Sequence, residues 1–135
     1  MNAIQPYLLF NGNCREAMTF YNGVFGGECQ MITFADAKME VPADQASKIM
    51  HARISAGKAV LMASDTMPNM QHKAGDNFSV AVMCSDAAEV DRLFAGLSKD
   101  GTVTMPPTAT DWSPRFAMLV DRFGVPWMLN FETTR

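Results

Sequence analysis

The sequence predicts an α+β fold of two paired β-α-β-β-β modules, forming a cupped, partly open mixed sheet with the helices on the convex face. Three observations predict it. First, the stretch Arg115 to Glu132 holds two alternating runs about the turn Asp121-Arg122-Phe123-Gly124. In the second run Val125, Trp127, Leu129 and Phe131 share one face, and Pro126, Met128, Asn130 and Glu132 the other. That period of two marks a strand with one face in a core. Second, the chain repeats itself at an offset of 73, which lays Asn13 on Asp86, Glu16 on Glu89, Phe20 on Leu93, Tyr21 on Phe94 and Gly23 on Gly96. Third, each half shows one helical stripe among strand-like runs. An internal repeat constrains a fold more firmly than any single element.

In chain order, Ile4 to Phe10 is expected as the first strand, with Pro6 tolerable near its start or on an edge. Asn11-Gly12 turns the chain. Asn13 is the expected N-cap of a helix over 14–24, with Glu16 at capping-box spacing and Ala17, Phe20, Tyr21 and Val24 as the stripe. Gly26-Gly27 stops it. Glu28 to Ala35 is a second strand, and the polar, Pro42-containing stretch 36–47 an excursion loop. Lys48 to Ala56 and Ala59 to Ser64 form a hairpin through Gly57-Lys58. The stretch 66–76, with Pro68, Asn69, Gly75 and Asp76, carries no period and reads as a mobile linker between modules 1–65 and 77–135 of one domain spanning 1–135.

The second module opens on a strand over Asn77 to Cys84. Asp86 caps a helix with Glu89 three residues on, and Val90, Leu93, Phe94 and Leu97 supply its apolar stripe before Gly101. Val103 to Ala109 is a weak strand broken by Pro106-Pro107. Phe116 to Val120 and Val125 to Phe131 complete the set.

Composition narrows the functional classes. A net charge of −3 and a pI near 5.2 argue against nucleic acid and anionic membranes as partners. No apolar run approaches the ~20 residues that span a bilayer, and no signal peptide is expected from MNAIQPYLLFNGN. Cys14, Cys29 and Cys84 form no CxxC pair and read as reduced thiols, which points to the cytoplasm. The twelve methionines serve either core filling or an adaptable apolar surface, with Met62 and Met128 as the candidates for the latter.

Two modules with one helix each cannot cover both faces of eight strands. The uncovered faces are expected to curl into a cleft that takes a small-molecule ligand. On the third strand His51, Arg53 and Ser55 oppose the core residues Ala52 and Ile54. On the fourth, Val60, Met62 and Ser64 oppose Leu61 and Ala63; on the eighth, Met128 and Asn130 face the cleft. The fifth strand, with Phe78, Val80 and Val82 against Ser79, Ala81 and Met83, has no face assigned by pattern. Phe34, Met62, Phe78 and Met128 form either an apolar cleft floor or a second core.

His51 is a candidate hydrogen-bonder or general base, or else a structural histidine; His72, in the linker, is expected to be solvated. Arg53 could hold an anion, or form a salt bridge with Asp65 or Glu132. Trp112, in TDWSPR, is either a lid that stacks on a ligand or a packing and dimer contact. Trp127 is expected in the core. Ser64-Asp65 has no partner histidine or lysine nearby, and no GxSxG motif is present.

The strings PYLLFNGNCREAMTFY, FGGE, IMHARISAGKAVLMASD, DRLFAGLSKDG and DRFGVPWMLN resemble the PhnB-like branch of the glyoxalase and bleomycin-resistance group, in the vicinal oxygen chelate superfamily. The resemblance covers nearly the whole chain. Members of this branch carry a demethylubiquinone methyltransferase-like label, but no glycine-rich loop for S-adenosylmethionine follows a strand here. In metal-dependent members, the resemblance implies one His, Gln or Glu ligand from each of the first, fourth, fifth and eighth strands. Those positions fall here at Gln5 or Pro6, Met62, Phe78 or Asn77, and Met128. Only Gln5 could coordinate, so no metal and no cofactor is expected.

The resulting expectation is a metal-independent small-molecule binding protein of the bleomycin-resistance type, its ligand unidentified, with His51, Arg53, Met62, Ser64, Phe78, Trp112, Met128 and Asn130 as the candidate ligand-binding residues. The alternatives are a superfamily enzyme (isomerase, lyase or dioxygenase-like) using His51 or an unrecognised metal site, and an interaction protein with a filled cleft. A homodimer is expected, with the linker as the place where modules could exchange between chains.

Overall fold

The computed structural model describes residues 1–133; Thr134 and Arg135, at the end of the expected second module, lie outside them. The chain divides into two compact units, Met1–Lys73 and Ala74–Arg135. Each contains a four-stranded mixed sheet and one α-helix, so the fold is α+β.

In the first unit the order along the chain is β1 (Tyr7–Phe10), α1 (Cys14–Phe25), β2 (Glu28–Thr33), β3 (Ile49–Ala56) and β4 (Ala59–Asp65). The sheet order is β1-β4-β3-β2, with β1 parallel to β4 and the other pairs antiparallel. α1 packs against β2, β3 and β4. Its buried residues Cys14, Ala17, Met18 and Tyr21 join the buried strand residues Leu8, Phe10, Ala52, Ile54, Leu61 and Ala63 in one core. Because strand side chains alternate, Tyr7, Leu9, His51, Arg53, Met62 and Ser64 occupy the opposite, helix-free face.

The cap of α1 departs from expectation. Asn13 makes no side-chain cap bond. Instead Asp65, buried at the end of β4, accepts the backbone N–H of Cys14 through Oδ1 at 2.9 Å and that of Ile49 through Oδ2 at 2.8 Å. One carboxylate therefore caps the helix and fixes the start of β3. A carboxylate at a helix N-terminus serves better than an amide, because it also meets the positive end of the helix dipole.

Strand ends differ by a few residues. β1 begins at Tyr7 rather than Ile4, after Pro6, which has no N–H to give. β2 ends at Thr33 because Thr33 and Asp36 exchange bonds: Thr33 N–H donates to Asp36 Oδ2 at 3.0 Å, and Asp36 N–H to Thr33 Oγ1 at 2.9 Å. Phe34 lies beyond that end and is fully buried, so it belongs to the core and not to an exposed floor. His72 is not simply solvated: its Nδ1 lies 3.0 Å from Thr66 Oγ1, and the Thr66 hydroxyl donates to Phe10 O at 3.1 Å.

The second unit repeats the plan with β5 (Val80–Cys84), α2 (Ala87–Leu97), β6 (Thr102–Thr108), β7 (Arg115–Val120) and β8 (Pro126–Phe131). Its order is β5-β8-β7-β6, with β5 parallel to β8. Asp86 caps α2 as expected, accepting Glu89 N–H at 2.8 Å, while Glu89 Oε1 accepts from Ser85 N–H at 2.9 Å. Val90, Leu93 and Leu97 are buried, with Ala117, Leu119, Trp127 and Leu129 on the helix side of the sheet. β6 carries Pro106 and Pro107 because it is an edge strand, and its register with β7 shifts around them.

The repeat is visible in two glycines. A Cβ on Gly27, just before β2, would lie 2.5 Å from Ser55 O; one on Gly101, just before β6, would lie 2.5 Å from Val120 O. Only glycine lets each edge strand start so close to its neighbour.

Candidate functional site

Helix-free sheet faces collect the candidate residues, and each unit has its own. In the first unit, cross-strand register sets Tyr7 beside Met62, Met62 beside Arg53 and Arg53 beside Gln30, one row across all four strands. His51 lies two residues from Arg53 on the same strand. Tyr7 Oη lies 3.2 Å from His51 Nδ1, with the two rings 5.7 Å apart and tilted by 33°. This bond occupies Nδ1 and leaves Nε2 to face another group. Ser64 follows on β4 and is only 7% exposed. Among the described residues Arg53 forms no ion pair. The expected alternative partner Asp65 spends both oxygens on backbone N–H groups.

The helix-free face of the second unit is mostly apolar. Register places Ala81, Met128, Met118 and Met105 in a row across β5, β8, β7 and β6. The next row holds Met83, Asn130, Phe116 and Thr108. Trp112, in the loop before β7 and 63% exposed, meets Phe116 edge-on at 5.7 Å. That loop is held by Ser113, whose N–H donates to Thr110 Oγ1 at 3.1 Å and whose Oγ donates to Phe131 O at 2.7 Å. Asn130 is 8% exposed; its Nδ2 donates to Glu132 Oε1 at 3.0 Å.

The four candidates of the first unit thus come together, as do Met128, Asn130 and Trp112 in the second. Phe78 does not join them. It precedes β5, which starts at Val80 instead of Asn77, and it is 46% exposed. Ala81 stands beside Met128 in its place. Alternation around Val80 and Val82 could not reveal this, because both faces of the strand are apolar. The same ambiguity hid Met83, Met105, Phe116 and Met118. Tyr7 was missed because YLLF offers no polar residue to mark a face.

None of the three thiols is a strong nucleophile. Burial pushes Cys14 up to about 12 and Cys84 up to about 11, and raises Cys29 as well.

The family described as 3-demethylubiquinone-9 3-methyltransferase matches residues 2–130. The chain belongs to this family. It is 43% identical to protein PA1353 from Pseudomonas aeruginosa, a solved structure, over 98% of this chain and 100% of that one, with a TM-score of 0.86. It is 30% identical to protein YjdN of Escherichia coli over 138 residues, 94% of this chain and 93% of that protein. It is 25% identical to a PhnB protein from Bacillus cereus, over 96% of this chain and 99% of that one, with a TM-score of 0.74. The PhnB-like resemblance read from the sequence is therefore shown. The fold is also that of a glyoxalase/bleomycin resistance protein/dioxygenase family enzyme from Burkholderia phytofirmans, at 18% identity, 94% and 97% coverage and a TM-score of 0.64.

Two groups implied by this kinship can be tested against the residues present. For a divalent ion, the two methionines at the expected ligand positions stand beside Tyr7 (Met62) and Ala81 (Met128), because Gln5, Pro6, Asn77 and Phe78 all precede their strands. Thioether, phenol and methyl groups are not a donor set for a hard or borderline cation. No three His, Cys, Asp or Glu side chains converge elsewhere among the described residues. For S-adenosylmethionine, the links between β1 and α1 (Asn11-Gly12-Asn13) and between β5 and α2 (Ser85-Asp86) contain a single glycine between them. Neither fits the glycine-rich turn that lets a backbone approach such a nucleotide. No helix among the described residues is long and apolar enough to cross a membrane.

Proposed function

We propose that this protein binds a small hydrophobic or aromatic molecule on the helix-free face of its second sheet, without a metal. The observation that carries this is the row Met128, Met118 and Met105 across three adjoining strands, extended by Met83, Phe116 and Trp112. Methionine fills irregular gaps, adapts its three torsions to a guest, and makes favourable sulfur contacts with aromatic rings. The test is calorimetric titration of a panel of aromatic compounds, before and after treatment with a chelator. Binding that survives chelation and is lost in Met118→Lys supports the proposal. Failure of every compound, or binding only with added metal, sinks it.

The Tyr7–His51 bond favours a second reading, in which the first unit's face performs chemistry with His51 as base or donor. Once an activity is found, His51→Ala with unchanged turnover would remove that role. A homodimer in the cytoplasm belongs to the same proposal. The three free cysteines are in keeping with a reducing compartment, and sedimentation velocity tests the dimer.

A further inference from the structure

Asn130 stands between Met83 and Phe116 in the last row of the methionine face, with half of its amide unused. The residue is 8% exposed. The Nδ2 group donates to Glu132 Oε1 at 3.0 Å. A carboxylate can only accept, so this contact fixes which end of the amide is which. Oδ1 is thereby committed as an acceptor; it is closed to solvent and has no hydrogen-bond partner among the described residues, so a ligand donor reaches it only when the side chains over it yield. A buried carbonyl oxygen left without a donor is costly, and native structures rarely leave one without a use.

Resting on the proposed ligand site above, we infer that the ligand is an aromatic molecule carrying one hydrogen-bond donor, a hydroxyl or N–H, which it gives to Asn130 Oδ1. The apolar part lies on Met128 and Met118, and Phe116 borders the donor. The acceptor would supply a selectivity that methionines alone cannot give, since an apolar surface discriminates poorly between a guest and its isostere. An apolar side chain at position 130 would serve the same surface without that preference.

The experiment compares 2-naphthol with 2-methoxynaphthalene by calorimetry on the full chain and on Asn130→Leu, with Asn130→Ser as a second, smaller change. Thermal melts check that each variant folds. The parent chain should bind the naphthol about tenfold more tightly than the ether, the usual scale for one buried hydrogen bond. Asn130→Leu should reduce that ratio to about twofold or less while keeping the ether's affinity. Equal affinities in the parent chain, as expected if a buried water alone satisfies Oδ1, overturn the inference and leave the hydrophobic site standing. A ratio unchanged in both variants also overturns it. Binding of neither probe, whether or not sedimentation shows a second copy covering the face, overturns both the site and the inference.

Discussion

Trp127 donates its indole Nε1–H to Asp121 Oδ2 at 2.8 Å, joining the core of β8 to the turn that precedes it. The other carboxylate oxygen accepts Phe123 N–H at 2.8 Å and Val125 N–H at 3.0 Å. One buried side chain thus shapes the turn and anchors the largest ring in the second core. Asp121→Ala leaves an indole N–H and two backbone donors without their partner. We expect a loss of about 3 kcal/mol or more, since each orphaned buried group costs about 1–3 kcal/mol. Urea unfolding measures it; a change below about 0.5 kcal/mol would contradict the structure.

Asp65 and Asn13 should separate cleanly. Asp65→Ala removes the cap of α1 and the anchor of β3 together, for an expected loss of about 2–4 kcal/mol. Asn13→Ala should change stability by no more than about 0.5 kcal/mol, because its side chain makes no cap bond. Chemical denaturation of the two variants side by side gives the answer.

Gly27→Ala and Gly101→Ala each press a methyl group to 2.5 Å from a carbonyl oxygen of the adjacent strand. Each should cost about 1–3 kcal/mol, the range for overpacking against backbone. Gly23→Ala, in the last turn of α1 where a Cβ meets nothing within 4 Å, should stabilise by up to about 0.5 kcal/mol. Opposite signs in thermal melts are the expected result.

The Cys14 thiol gives a pH dependence. Burial raises it from 9.0 to about 12, with the Asp65 charge adding to the effect. The unfolded chain therefore loses its proton first. The thiol's contribution is intact below pH 9.0 and is lost as pH rises toward about 12. Cys14→Ala should flatten that alkaline fall in stability relative to the parent chain. Native Cys14 should also resist alkylation at pH 8 until the chain is unfolded.

Tyr7→Phe removes the bond to His51 but keeps the ring. Tyr7 is 45% exposed, so stability should change by less than about 1 kcal/mol. The nuclear magnetic resonance signals of the His51 ring should shift, because Nδ1 loses its partner. Unchanged signals would show that the bond is absent in solution.

Much of this molecule was legible in its residues. The offset of 73 between Asn13 and Asp86 exposed the duplication, and the alternation in Val125 to Phe131 placed Trp127 in the core. The motifs around DRFGVPWMLN gave the family, and the polar contrast of His51 and Arg53 against Ala52 and Ile54 gave one face. Those signals are local: each depends on the period of one strand or helix, or on a short string. What only the tertiary structure decided is which distant groups meet. The cap of α1 comes from Asp65, fifty-one residues from Cys14, and the partner of His51 is Tyr7, on a strand two places away in the sheet. The methionine row and the unused oxygen of Asn130 likewise arise from register among strands whose two faces are both apolar. Period carries no information there, and only pairing fixes which side chains stand together.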